Sequence, residues 1–272
     1  MYNSKSMQSI ATGKIAIFGS GEMSPTGRRV HEYLIKDLTP PVKIALLETP
    51  TGFEANPHNW YMKLEEMLRV GLQNYKPHIE RVAALRFDGE NSTNNPLFLA
   101  PLQNAHYIHS GAGSPSYAAR HLRDSVAYKY IKTHVKKHLP LSLGSATTIA
   151  FSKYLLPVYE IYKAGEELHW KDGLNFFQQW DLDLTFIPHW NNHEGGKNID
   201  TSRCYMGTER FQKLLKILPG PTTIIGIDEQ TALIFDLGKK TLSVMGAGKV
   251  TIQKEGSEVV LSSGSTAPLS QL

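Results

Sequence analysis

The stretch KIAIFGSGEMSPTGRRVHEYLIKDL, residues 14–38, decides the fold class of this protein. It opens with a short apolar run that ends in glycine, which predicts a buried β-strand. After the turn, the apolar residues Val30, Leu34, Ile35 and Leu38 recur at helical spacing, which predicts an amphipathic helix over 26–38. A strand followed by a glycine-rich turn and a helix is the repeating unit of α/β proteins.

The same alternation continues along the chain. Strand patterns at 42–50, 78–85 and 139–144 are separated by helical patterns, and the stretch 222–262 consists of short strands joined by Gly, Lys and Asp turns. We predict an α/β three-layer sandwich with a mostly parallel central sheet and an antiparallel C-terminal extension of that sheet. A single domain over 14–272 is expected, preceded by a loose polar lead-in at 1–13.

Composition excludes several classes of protein. The 272 residues are 41% hydrophobic and 20% charged, which is typical of a globular protein. The longest apolar runs are far shorter than the ~20 residues of a membrane helix, and the first residues lack the apolar core of a signal peptide. The single cysteine, Cys204, excludes an intramolecular disulfide and a cysteine-rich zinc site. We expect a cytoplasmic protein with no membrane partner.

Charge gives no reason to expect nucleic acid as a partner. The net charge is +4, and the basic residues are dispersed along the chain. The densest cluster, Lys129, Lys132, Lys136 and Lys137, has helical spacing between apolar residues, which is typical of the solvated face of an amphipathic helix. No aromatic residues alternate with these lysines as in a single-strand binding groove.

Three segments place reactive or anion-binding groups after predicted strands, where ligands bind in open parallel sheets. The first, GSGEMSPTG at 19–27, has the glycines of a phosphate-binding turn but not the G-x-G-x-x-G spacing of a dinucleotide site. The second, LSLGSATT at 141–148, places Ser145 at a strand-to-helix turn. There a serine acts as a nucleophile or only caps the helix. The third, IPHWNNHEGGKNIDTSR at 187–203, contains His189 directly after the apolar stretch LTFIP, at a predicted strand end where a general base is well placed.

His189 also has a metal-binding interpretation, together with His193 and Glu194. The residues between and after them, Asn-Asn and Gly-Gly, indicate a loop, so the helical spacing of a zinc peptidase is absent. We therefore predict no metal.

Together these segments resemble one known family. Their motifs follow along the chain in this order: a glycine-rich turn, TPTGFEANP, SGAGSP, a serine-alanine elbow, PHW, TSR…ER and GIDEQTALI. This order is similar to that in the dipeptidase E and cyanophycinase family of serine peptidases. This family has the class I glutamine amidotransferase-like fold. The resemblance covers most of residues 14–250, and VYEIYKAGEELHW and FIPHWNNHEGG are similar to its type 1 glutamine amidotransferase-like branch.

The resemblance implies a role for each candidate residue. Ser145 would be the nucleophile and His189 its base. Gly111 and Ala112 would supply one N–H group of an oxyanion hole, and Ala146 the other. For the third member of the triad, the resemblance leaves two acids, of which Glu166 is preferred over Glu160. Arg203 and Trp190 are predicted to contact substrate. Asp228 and Glu229 are expected to cap or pair within the fold.

Two features depart from the family pattern. Family members have a glycine two residues after the nucleophile, where this chain has Thr147. They also have a Gly-Gly-Asn turn, where this chain has Gly111-Ala112-Gly113. Either departure would be compatible with a protein that binds a small ligand without catalysis. A glutamine amidotransferase would carry cysteine at the elbow and an acid where Asn191 stands, so ammonia transfer is not expected.

The resulting prediction is a serine hydrolase that cleaves an amide bond in a small or acidic peptide, with no cofactor. A noncatalytic ligand-binding protein of the same fold and a nucleotide-dependent enzyme at 19–27 are the alternatives. The family likeness is compatible with a homodimer.

Overall fold

The computed structural model describes residues 13–272, so the predicted lead-in lies outside the described residues except for Gly13. The strands are β1 (Lys14–Phe18), β2 (Lys43–Leu47), β3 (His78–Val82), β4 (Tyr107–Ser110), β5 (Leu141–Gly144), β6 (Tyr154–Leu155), β7 (Lys171–Asp172), β8 (Leu184–Ile187), β9 (Thr223–Ile227), β10 (Thr231–Asp236), β11 (Thr241–Gly246), β12 (Lys249–Lys254), β13 (Ser257–Ser262) and β14 (Thr266–Pro268).

The helices are α1 (Pro25–Ile35), α2 (Asn59–Gly71), α3 (Ala100–Asn104), α4 (Pro115–Leu122), α5 (Val126–Lys136), α6 (Ser145–Ala150), α7 (Val158–Tyr162) and α8 (Gly207–Lys216). Within residues 13–272, none of them is long and apolar enough to cross a membrane. Helix α1 begins where the sequence allows a helix to begin, because the Ser24 hydroxyl accepts the Gly27 N–H and Pro25 follows the cap.

The central sheet has the strand order β14-β11-β10-β1-β5-β4-β2-β3. Strands β1, β5, β4, β2 and β3 run parallel, and β10, β11 and β14 extend the sheet antiparallel from β1. One apolar cluster packs on the face covered by α1 and α2, and a second fills the opposite face beneath α4, α5 and α6. The predicted α/β class, with a mostly parallel sheet between two layers, is confirmed.

The C-terminal strands differ from the prediction in one respect. Strands β9, β12 and β13 do not extend the central sheet but form a second sheet, in the order β13-β12-β9-β8. In it β8 and β9 run parallel, with Ile187 opposite Gly226. Strand β9 is buried along its whole length, as is typical of a parallel strand covered on both faces. The chain segments that follow β8 and β9 therefore lie side by side.

Candidate active site

Ser145 occupies a strained turn between β5 and α6. Its φ is +43°, a left-handed conformation that a non-glycine residue adopts only when its surroundings impose it. The preceding Gly144 has no room for a side chain, because a Cβ there would stand 1.9 Å from Glu22 Oε1. Glu22 is buried, and burial raises the pKa of its carboxyl group. Glycine at position 144 is thus required by the local packing.

His189 meets this serine from the end of β8. Its φ is +51°, and its N–H donates to the Gly19 carbonyl at the end of β1 over 3.0 Å. Ser145 Oγ lies 3.3 Å from His189 Nε2. This distance is at the long end of a hydrogen bond and is compatible with proton transfer between the two groups. The structure brings together the two residues predicted as nucleophile and base.

The acid that contacts His189 is Glu229, in the turn between β9 and β10. Glu229 Oε1 lies 2.9 Å from His189 Nδ1 and accepts a second hydrogen bond, also 2.9 Å long, from Asn192 Nδ2. The hydrogen bonds from His189 and Asn192 lower the pKa of the Glu229 carboxyl below its ordinary value. A carboxylate at this position holds the imidazole with its proton on Nδ1, which leaves Nε2 free to accept a proton from serine.

The prediction that Glu166 contacts His189 is wrong, and so is its alternative, Glu160. Glu166 Oε2 lies 3.7 Å from His169 Nε2, on an exposed turn. Glu160 Oε1 accepts a hydrogen bond of 2.7 Å from Lys171 Nζ. Both acids belong to the segment between the elbow and the histidine, and their carboxylates contact His169 and Lys171 instead of the His189 imidazole.

Glu229 was missed because the stretch 223–229 was interpreted as part of an antiparallel extension. In the structure β8 and β9 are parallel neighbours, so His189 and Glu229 follow strand ends at the same edge of the second sheet. The fully apolar run TIIGI, flanked by an acid, was the available signal. It is consistent with a strand buried on both faces, whose end can face a ligand, but it does not choose between a parallel and an antiparallel neighbour.

The residues predicted for the oxyanion hole differ in whether their N–H groups already have a hydrogen-bond acceptor. Gly111 N–H donates to the Tyr61 hydroxyl over 3.1 Å, so this group is already engaged and the prediction for Gly111 is wrong. Within residues 13–272, the N–H groups of Ala112 and Ala146 have no hydrogen-bond acceptor. Gly113, next to Ala112, lines a cavity together with Ser145 and Ala146.

Thr147 does not obstruct the site. Its side chain is buried and its hydroxyl donates to the Gly111 carbonyl over 2.8 Å. Its own N–H donates to the same carbonyl over 3.2 Å. Thr147 therefore ties the elbow to the 111–113 turn from behind, and its β-branched side chain takes no space from the cavity.

A cavity of about 410 Å³ opens above Ser145. Helix α7 forms one wall with Tyr159, Tyr162 and the following Lys163, and the segment after His189 forms the other with Glu194 and Tyr205. The Tyr205 hydroxyl donates to Glu194 Oε2 over 3.0 Å, and the Tyr205 ring centroid lies 6.0 Å from that of His189. Three tyrosines, one cation and one carboxylate are among the described residues that line the cavity.

Arg203 and Trp190, predicted to contact substrate, do not line this cavity. The Arg203 guanidinium stacks 3.9 Å from the Trp190 ring centroid and donates to the Trp190 carbonyl over 3.1 Å. Trp190 is buried against Phe211. This pair fixes the backbone beside His189: Arg203 N–H donates to the Trp190 carbonyl, and Cys204 N–H donates to the His189 carbonyl.

Cys204 lines the cavity but is buried, and burial raises the pKa of its thiol. A protonated thiol is a poor nucleophile. Within residues 13–272, no group of three or more His, Cys, Asp and Glu side chains is arranged to hold a metal ion.

The glycine-rich turn at 19–27 accommodates the protein's own backbone. A Cβ at Gly19 would stand 2.1 Å from the Asp228 carbonyl oxygen, and one at Gly27 would stand 2.3 Å from that of Gly21. These glycines are explained by close packing, so the nucleotide-dependent alternative gains no support here.

Comparison with known proteins gives a fold. No protein-family model matches the sequence, and no curated protein does either. A peptidase from an acI-B1 Actinobacterium matches with a TM-score of 0.74 and 22% identity, over 94% of this chain and 97% of its own. A candidate peptidase E from Listeria monocytogenes EGD-e matches with a TM-score of 0.54 and 14% identity, over 93% of this chain and 99% of its own.

The chain has a peptidase E-like fold. This agrees with the resemblance to dipeptidase E found in the sequence. Likeness at these identities establishes the fold, whereas the activity depends on the residues of the site.

Proposed function

We propose that this protein is a serine hydrolase that cleaves an amide bond in a small peptide through Ser145, His189 and Glu229. The observation that carries the proposal is the continuous contact from Ser145 Oγ to His189 Nε2, at 3.3 Å, and from His189 Nδ1 to Glu229 Oε1, at 2.9 Å. These are the contacts of a nucleophile, a general base and the acid that orients the base.

In the proposed reaction, Ser145 Oγ attacks the amide carbonyl and its proton passes to His189 Nε2. The tetrahedral intermediate collapses when His189 donates that proton to the leaving amine, which gives an acyl-Ser145 ester. Water then attacks the ester with His189 again as base, releasing the acid and restoring the serine. Glu229 stabilises the imidazolium that forms in each half of the reaction.

The oxyanion of the intermediate would be held by backbone N–H groups. Ala146 directly follows the nucleophile, and Gly113, the residue after Ala112, lines the same cavity. Two such donors in a site sheltered from water contribute strongly to catalysis. In place of Gly111, we propose the N–H groups of Ala146 and Ala112 for this role.

The cavity supports a short substrate. Its volume of about 410 Å³ suits a peptide of a few residues, and tyrosines form much of its wall. Lys163 is the lining residue that would pair with an acidic group of the substrate, since Arg203 is stacked on Trp190. We therefore retain a small or acidic peptide as the substrate, with Lys163 in the place assigned to Arg203.

Labelling with a fluorophosphonate probe tests the proposal, because this probe reacts with activated serines. We expect wild-type protein to be labelled, and both Ser145→Ala and His189→Ala to lose labelling. Two matched controls should keep the labelling: Ser263→Ala, at an exposed serine in the turn between β13 and β14, and His193→Ala, at an exposed histidine in the His189 loop. A folded wild type that is not labelled would refute the hydrolase and favour the noncatalytic binding protein.

A further inference from the structure

Asn192 is a buried polar residue in the loop that follows His189, with 2% of its surface exposed. Its Oδ1 accepts the backbone N–H of Glu194 over 3.2 Å. Since a backbone N–H can only donate, this contact fixes which end of the amide is oxygen. The Nδ2 group therefore faces Glu229 Oε1, to which it donates over 2.9 Å.

This contact matters because of where Glu229 lies. Its carboxylate stands on a turn between two strands and is 27% exposed, so the backbone alone leaves it free to rotate into solvent. Asn192 Nδ2 and His189 Nδ1 both reach the same oxygen, Oε1. At its backbone, Glu229 N–H donates to Asn191 Oδ1 over 2.8 Å. The two asparagines thus hold Glu229 at both ends.

Asn192 is itself held on the histidine side. Its N–H donates to the His189 carbonyl over 3.2 Å, so the loop returns directly onto the residue whose imidazole Glu229 contacts. The hydrogen bonds join His189, Asn192 and Glu229 in a closed ring. A ring of this kind fixes the distance between imidazole and carboxylate more firmly than the single contact between them would.

We propose that Asn192 is a positioning residue, which holds Glu229 in the rotamer that receives the His189 N–H. The inference rests on the proposed function and adds a residue to its machinery. Asn192 does not line the cavity and acts on the reaction only through Glu229.

The rate of fluorophosphonate labelling, resolved into a maximal rate constant and an apparent binding constant for the probe, tests this role. We expect Asn192→Ala to lower the maximal rate constant about 10- to 100-fold, as misplacement of a catalytic group does. The probe's binding constant should stay within about twofold of wild type, because Asn192 lies behind the triad. Asn198→Ala, at an exposed position of the same loop, is the matched control and should label at the wild-type rate.

A second variant, Asn192→Asp, has the same shape and tests whether the amide acts as a hydrogen-bond donor. A protonated Asp can donate to Glu229 as the amide does, whereas an ionised Asp repels it. The ratio of the Asn192→Asp labelling rate to the wild-type rate should therefore be higher at pH 5 than at pH 8. The charged and titratable groups around this contact are Glu229, His189, His193, Glu194, Asp228, Cys204, Tyr205 and, beyond His189, Glu22.

The outcomes separate the two proposals. An unlabelled wild type refutes the hydrolase itself. If wild type is labelled and folded Asn192→Ala is labelled at the same rate, the positioning role alone is refuted. The role is also refuted if Asn192→Ala changes rate and probe binding together, or if the Asn192→Asp ratio is flat with pH. Should Asn192→Ala fail to fold, the Asp variant decides.

Discussion

Replacing Glu229 by glutamine tests the arrangement of the site most directly. The substitution keeps the side chain's size and removes the charge 2.9 Å from His189 Nδ1. A pair of unit charges about 4 Å apart interacts by about 4 kcal/mol at an effective dielectric constant of about 20. The side chains of His189 and Glu229 are 18% and 27% exposed, so solvent screens part of this attraction. We take about 2–4 kcal/mol for the stabilisation of the imidazolium.

That energy corresponds to a loss of about 30- to 1000-fold in the rate of the step that forms the imidazolium. The assay is the maximal rate of fluorophosphonate labelling at pH 7.5, with folding checked by thermal unfolding. Glu166→Gln and Glu160→Gln are matched controls, because these acids contact His169 and Lys171 instead. Both should label within about twofold of wild type. The reasoning is refuted if Glu229→Gln labels at the wild-type rate, or if Glu166→Gln shows the loss instead.

Three further predictions concern the elbow and the core. Gly144→Ala should lower the free energy of unfolding, measured with urea, by about 1–3 kcal/mol, because its Cβ would clash with the buried Glu22 carboxyl. Gly71→Ala is the control and should not lower it by this amount, because its Cβ would meet only the flexible Arg28 side chain. Equal effects of the two substitutions would contradict this account. Thr147→Val should cost about 0.5–1.5 kcal/mol through its lost hydrogen bond to Gly111, and an unchanged unfolding midpoint would contradict that bond. Burial lowers the pKa of His134 to about 4. In the unfolded chain, the His134 imidazole binds a proton from about pH 6.5 downward, whereas in the folded chain it does not until about pH 4. The free energy of unfolding should therefore fall as the pH is lowered from 6.5 to 4, with this group contributing up to about 3 kcal/mol. Urea unfolding at each pH should show a shallower fall in His134→Gln than in the exposed control His78→Gln, and parallel curves would contradict the assignment.

The regular elements of the N-terminal half could be predicted because local pattern and burial agree there. The run 14–19 is apolar and closed by glycine, and it forms β1 in the centre of the sheet. The helical pattern at 26–38 becomes α1, with its apolar residues packed on that sheet. In both segments, the residues that are apolar in the sequence are the ones that the fold turns toward the core.

Sheet membership could not be predicted in the C-terminal part. A short apolar strand such as β9 fits either a parallel or an antiparallel neighbour, and its choice of β8 depends on packing between segments about 40 residues apart along the chain. This choice decides the identity of the acid, because it places Glu229 beside His189. Glu166 and Glu160 are nearer in sequence to the elbow, but sequence distance does not set the direction in which α7 and its following turn project.

For this protein, the sequence by itself determined the α/β class, the elbow at Ser145 and the histidine at the end of a strand, since each depends on residues adjacent in the chain. Only the tertiary structure decided which acid meets His189, which N–H groups remain free, and that Arg203 stacks on Trp190 outside the cavity. Those outcomes depend on strand partners and loop paths, which arise from contacts between distant segments and leave no local pattern in the residues themselves.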